Sequence, residues 1–154
     1  MHDHRHHLRA GECRVSLIKR TTADAAFSLC VRERAGWRCE RCGSTPDPMG
    51  LHCAHVMSRG HWSVRFDPSN AVALCYGCHR ITEQRREVEF LPLVKRTFGE
   101  HEWDRVFADA MKPASAIKRQ VPLIAKHYRQ QHAAMVKLRD AGSTGRLEFV
   151  GWMR

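Results

Sequence analysis

Two Cys-x-x-Cys pairs, Cys39/Cys42 and Cys75/Cys78, constrain this chain more than any other feature of its sequence. A tight turn between cysteines three positions apart points both thiolates to one side, and two such turns close a tetrahedron around a single ion. The pattern predicts a structural zinc site with four thiolate ligands. All four positions on that ion are then filled, so it offers no open site for chemistry. The 32 residues between Cys42 and Cys75 exceed the needs of a compact zinc ribbon, so the intervening segment must itself fold.

A chain of 154 residues, 43% hydrophobic and 27% charged, supports one domain with a modest core. Lys and Arg outnumber Asp and Glu 26 to 16, and the net charge of +10 suits a polyanionic partner. No apolar run is long enough to cross a bilayer, and the opening MHDHRHHLRAGECR lacks the hydrophobic stretch of a secretion signal. A cytoplasmic protein is expected. Seven cysteines, an odd number, favour reduced thiolates on a metal over disulfides. The remaining Cys13, Cys30 and Cys53 read as small buried or semi-exposed thiols.

The chain divides into a flexible, His-rich basic arm (1–20), a zinc-stapled core (21–90), a basic helical extension (91–142) and a tail (143–154). In the core, TTADAAFSLCVRERAG carries a Thr cap with Asp24 three residues on, Phe27, Cys30 and Val31 on one face, and Gly36 as a stop. LHCAHV and AVALC read as short strands, and YGCHRITEQRREVEF as a helix, giving the order strand, loop, strand, helix. LPLVKRTF ends at Gly99, and in HEWDRVFADAM the residues Trp103, Val106, Phe107, Ala110 and Met111 form a core-facing stripe. Beyond Pro113 one long helix is expected, kinked or restarted at Pro122, with Leu147, Phe149 and Trp152 of the tail docked on the body or on another subunit. The fold class is α+β, with amphipathic helices flanking the stapled core.

Within and just after the staple lie His55, Asn70 and His79, one on each successive piece of that strand, strand, helix unit. In order and placement they resemble the HNH endonucleases, whose centre is a ββα-metal unit, and the Cys78-His79 adjacency fits that likeness. FSLCVRERAGWRCERCG, LHCAHVMSRGHWSVRFDPSNAVALCYGCH and EFLPLVKRTFGEHEW more closely resemble phage recombination nucleases of the NinG (Rap) type. The resemblance implies metal-dependent hydrolysis of DNA phosphodiesters, on branched or flap DNA, by a phage or prophage protein in a bacterial host.

It also implies roles. His55 is the general base, His79 holds a catalytic divalent cation, Mg2+ or Mn2+, and Asn70 either orients His55 or ligates that cation. Many HNH centres carry Asp or His immediately before the base, where this chain has Ala54; His52, on the same strand face, is the nearest substitute ligand, ahead of Asp67 and His61. Arg59 and Arg65 are candidate phosphate contacts beside the site, and Lys118, Arg119, Lys126 and Arg129 are candidate DNA contacts on the later helices. A homodimer would bring two centres to two strands. The rival reading is a non-catalytic zinc module that binds nucleic acid; an RNA-directed nuclease or toxin is a third.

Overall fold

The computed structural model describes residues 18–153, so most of the His-rich arm, with Cys13, lies outside the described residues. Helix α1 (Thr22–Arg34) starts where the sequence places it. The Thr21 hydroxyl accepts the Asp24 N–H at 3.2 Å, and the Asp24 carboxylate accepts the Thr21 N–H at 2.6 Å, closing a capping box. The chain then reverses through Gly36 (φ 60°) and Trp37 (φ 57°). Trp37 sustains a backbone that favours glycine because its indole N–H bonds Glu33 at 2.8 Å and its backbone N–H bonds the Arg32 carbonyl at 2.9 Å.

Strands β1 (Leu51–His55) and β2 (Ala71–Cys75) pair antiparallel, with His52 opposite Leu74 and His55 opposite Ala71. Helix α2 (Tyr76–Gln84) follows β2 without a linker, which puts Cys75 and Cys78 one helical turn apart across the junction. The expected continuation of this helix to Phe90 is not regular. At Arg85 the backbone leaves the α region (φ −123°, ψ 50°), and residues Arg86–Phe90 form a wider π-helical turn.

Helices α3 (Leu91–Phe98) and α4 (Glu100–Ala110) meet at Gly99, whose φ of 92° only glycine adopts at low cost. The α4 stripe is narrower than the sequence predicts: Trp103, Val106 and Ala110 are buried, while Phe107 and Met111 are 54% and 63% exposed. Residues at i, i+3 and i+7 cover the single neighbouring surface, and i+4 and i+8 fall on its edge. The long helix is two. A short α5 (Ser115–Arg119) ends at Gln120, and α6 (Val121–Asp140) restarts with Pro122 in its first turn, where the missing N–H costs no hydrogen bond.

Helix α6 packs along α1, burying Ile124, Ala125, Tyr128 and Met135 against Phe27, Cys30 and Val31. The tail docks on the body of its own chain. Phe149 is buried, and the Tyr128 hydroxyl donates to the Phe66 carbonyl while accepting the Trp152 N–H at 3.0 Å. Among the described residues no helix is long and apolar enough to cross a membrane.

Candidate active site

The four staple cysteines come together as their spacing predicts, with the Sγ atoms of Cys39, Cys42, Cys75 and Cys78 all within 4.8 Å of one another. Zinc fits this donor set. Zn–S bonds of about 2.3 Å give a tetrahedron with edges of about 3.8 Å, and Cys42 Sγ lies 3.8 Å from Cys75 Sγ. The first knuckle is also tied to the sheet: Glu40 N–H donates to the Ala73 carbonyl at 2.8 Å, and Ala73 N–H donates to the Glu40 carboxylate at 2.7 Å. Arg41 reaches from the knuckle to Glu89 at 2.8 Å and to Cys78 Sγ at 3.5 Å. These hydrogen bonds fix where α2 leaves β2, and a zinc ion on the four thiols would hold the same junction.

That fixed junction positions the reactive residues. His79, directly after Cys78, faces His52 from β1 with their Nδ1 atoms 3.0 Å apart. The other nitrogen of His79 lies 3.3 Å from Glu83 Oε1, one helical turn on. A carboxylate there favours the proton on Nε2 and leaves the His79 Nδ1 lone pair aimed at His52. Burial, reinforced by His52 and opposed by Glu83, lowers the His79 pKa and favours the neutral ligand form. Two nitrogens 3.0 Å apart match adjacent positions of an octahedron with bonds of about 2.1 Å. The pair fits a divalent cation.

His55 lines the same cavity, of about 520 Å³, as His52 and His79. Its ring packs on Phe27 of α1, with centroids 5.7 Å apart, and its Nε2–H donates to the Arg65 carbonyl at 3.0 Å. Nδ1 therefore carries the lone pair. Burial lowers the His55 pKa from 6.5 to about 4, against the partial support of the Arg65 carbonyl, so the imidazole is neutral at physiological pH. Cys53 also borders the cavity, but burial pushes its thiol up to about 12 and keeps it protonated. Cys30 is likewise inert, raised to about 12 by burial and bonded to the Tyr128 carbonyl at 3.2 Å.

Two expected contacts are corrected. Asn70 is fully buried and touches neither His55 nor the imidazole pair. Its Oδ1 accepts the Met57 N–H at 2.8 Å, and its Nδ2 donates to the Met57 and Val64 carbonyls at 3.0 and 2.9 Å. Every polar atom of the amide is spent on the loop between the strands, the loop that carries the Arg65 carbonyl. Arg65 is not a phosphate contact. It is fully buried, its Nε and Nη2 hold Asp24 at 2.8 and 2.6 Å, and its guanidinium lies 4.2 Å from the Trp62 ring centre. Burial alone would raise the Asp24 pKa, but the bonds from Arg65 and Thr21 outweigh it and hold the carboxylate ionised.

Arg59 does border the cavity, and no carboxylate pairs with it among the described residues. Lys118, Arg119, Lys126 and Arg129 are exposed on α5 and α6, and none of them lines the cavity. Asp67 is drawn away into an ion pair with Arg105 at 2.8 Å, and the His61 ring reaches only the Ala110 carbonyl, at 3.5 Å. Arg32, which the sequence marks as a helix arginine able to meet either DNA or solvent, and Arg20, to which it gives no weight, also line the cavity. For Arg32 the signal was its i+4 and i+8 relation to Ser28 and Asp24 on α1, which puts all three on one helix face.

The buried His55, a pair of imidazoles on a strand and a helix, and a cluster of four thiols at their junction form one unit. Residues 39–85 match the HNH endonuclease family. The match and the cysteine cluster are together consistent with an HNH-like ββα core, its four cysteines placed for a zinc ion, within an α+β fold. No curated protein and no solved structure matches the chain. The HNH segment takes in every reactive residue described above, but α1, which supplies Phe27 and Asp24, lies before it.

Proposed function

We propose that this protein is a metal-dependent DNA endonuclease in which His55 is the general base and His52 and His79 hold the divalent cation. The single observation that carries the reading is the juxtaposition of a neutral, Nδ1-open His55 with the His52–His79 nitrogen pair on one cavity. When bound, the cation would neutralise charge on the scissile phosphate and the departing oxygen. The chain's own residues do the rest. His55 Nδ1 accepts the proton of the attacking water, while the Arg65 carbonyl holds its Nε2–H and Phe27 supports the ring. Asn70 fixes the loop, and Arg59 contacts phosphate.

Resemblance of the sequence to phage recombination nucleases supports branched or flap DNA as the substrate, with two chains acting together where both strands are cut. Nicking of supercoiled plasmid by zinc-loaded protein, with added Mn2+ or Mg2+, tests the reading: wild type cleaves and His55→Ala does not. Cleavage by neither while both bind DNA would replace it with the non-catalytic zinc module, and equal metal-dependent cleavage by both would remove His55 as the base. A panel of linear, flap and four-way DNA, with structured RNA as a further arm, tests the substrate.

A further inference from the structure

We propose that Arg20 and Arg32, on the α1 side of the cavity, form a subsite for backbone phosphates of the bound nucleic acid, separate from the imidazole pair. The proposal rests on the nuclease reading and adds the path of the strand: along α1, at the cavity, rather than along α6.

Both arginines line the cavity that holds His52, His55 and His79. Neither has a carboxylate partner among the described residues, whereas seven of the sixteen arginines described there do. Arg32 is held in place without being neutralised: its Nε donates to the Ser28 carbonyl at 3.1 Å, and its guanidinium lies 5.2 Å from the Trp37 ring centre. Burial lowers the Arg32 pKa from its ordinary value; Cys53 opposes that shift, and the charge of Arg20 adds to it, as expected of two neighbouring cations. The acids at the cavity do not cancel them. Asp24 is consumed by the bidentate bond from Arg65, and Glu83 faces His79 at the other rim.

Arg59 adds a third unpaired cation, beside His55. The cavity wall is therefore cationic, and its polar hydrogens are guanidinium forks that suit phosphate oxygens. Lys118, Arg119, Lys126 and Arg129 carry equal charge but lie off this wall.

Counterion release distinguishes the two surfaces. The dissociation constant for a labelled duplex oligonucleotide is measured at several salt concentrations, with zinc-loaded protein and no added Mg2+ or Mn2+. Each phosphate contact contributes about 0.9 to the slope of log K against log salt. Arg20→Gln, at a residue that precedes α1 and makes no hydrogen bond or ion pair among the described residues, should flatten the slope by about 0.9, and Arg20→Gln with Arg32→Gln by about 1.8. Lys126→Gln with Arg129→Gln should leave it unchanged, and thermal melting confirms that each variant is folded. An unchanged slope in the folded Arg20→Gln variant, or a loss confined to the α6 pair, overturns the proposal. The nicking assay is independent: cleavage with an unchanged slope sinks the subsite alone, whereas a flattened slope without cleavage in wild type sinks the nuclease reading and leaves the subsite standing.

Discussion

Replacing Asn70 by alanine tests whether this residue belongs to the loop or to the cation. The amide makes three bonds, one to the Met57 N–H and one each to the Met57 and Val64 carbonyls, all in a fully buried environment. Truncation leaves those three backbone groups without a partner, at about 1–3 kcal/mol each, less whatever an entering water restores. A total loss of about 3–5 kcal/mol follows, a large part of the about 5–15 kcal/mol by which a domain is stable. At about 3 °C per kcal/mol for a chain of this length, Tm falls by about 10–15 °C.

Aspartate sharpens the test. It keeps the acceptor for Met57 N–H but sets a charge against two carbonyls that need donors, so Asn70→Asp should be at least as unstable as Asn70→Ala. A cation ligand, in contrast, would tolerate or prefer the carboxylate. Urea unfolding of zinc-loaded wild type and both variants gives the stabilities, and plasmid nicking below the variants' Tm gives the activities. An Asn70→Ala protein within about 1 kcal/mol of wild type yet inactive, beside an active and stable Asn70→Asp, would refute the loop assignment.

Four further outcomes are expected. Because the folded His55 titrates near about 4 and the unfolded one near 6.5, the unfolded chain binds the proton first as pH falls; a contribution of about 3 kcal/mol present above pH 6.5 is lost as pH drops through about 4, and His55→Gln should show a correspondingly weaker acid dependence in urea unfolding. Arg65→Gln strands the buried Asp24 carboxylate and should cost about 3–5 kcal/mol, with no change in the salt slope of DNA binding at temperatures where it is folded. Cys75→Ser should lower bound zinc well below one ion per chain and depress Tm, since the ligands are also the fold's junction; unchanged zinc content by atomic absorption would count against the staple. Two imidazole nitrogens suit Mn2+ better than Mg2+, so nicking should be faster with Mn2+ at equal concentration, and His52→Ala should narrow that difference.

Legibility in the sequence followed the range of the interaction. Local signals read correctly: the Thr21–Asp24 capping box, each Cys-x-x-Cys knuckle and each of the two strands taken singly are set by residues a few positions apart. Arg65 was misplaced because its partner Asp24 lies 41 positions away, and an arginine's letter is the same whether it faces solvent or a buried carboxylate. The sequence also marked Asn70, but its role depends on which backbone groups the loop presents, and no side-chain pattern records that. Phe107 and Met111 were expected in the core because periodicity shows which residues share a side of a helix, not how wide the surface opposite it is.

The brace between α1 and the loop has a practical bearing on anyone who would transplant this ββα unit. Cutting the gene to the family-matched stretch would remove the cushion beneath the His55 ring and leave Arg65 as an uncompensated guanidinium in a greasy pocket. The smallest portable piece therefore begins no later than Thr21.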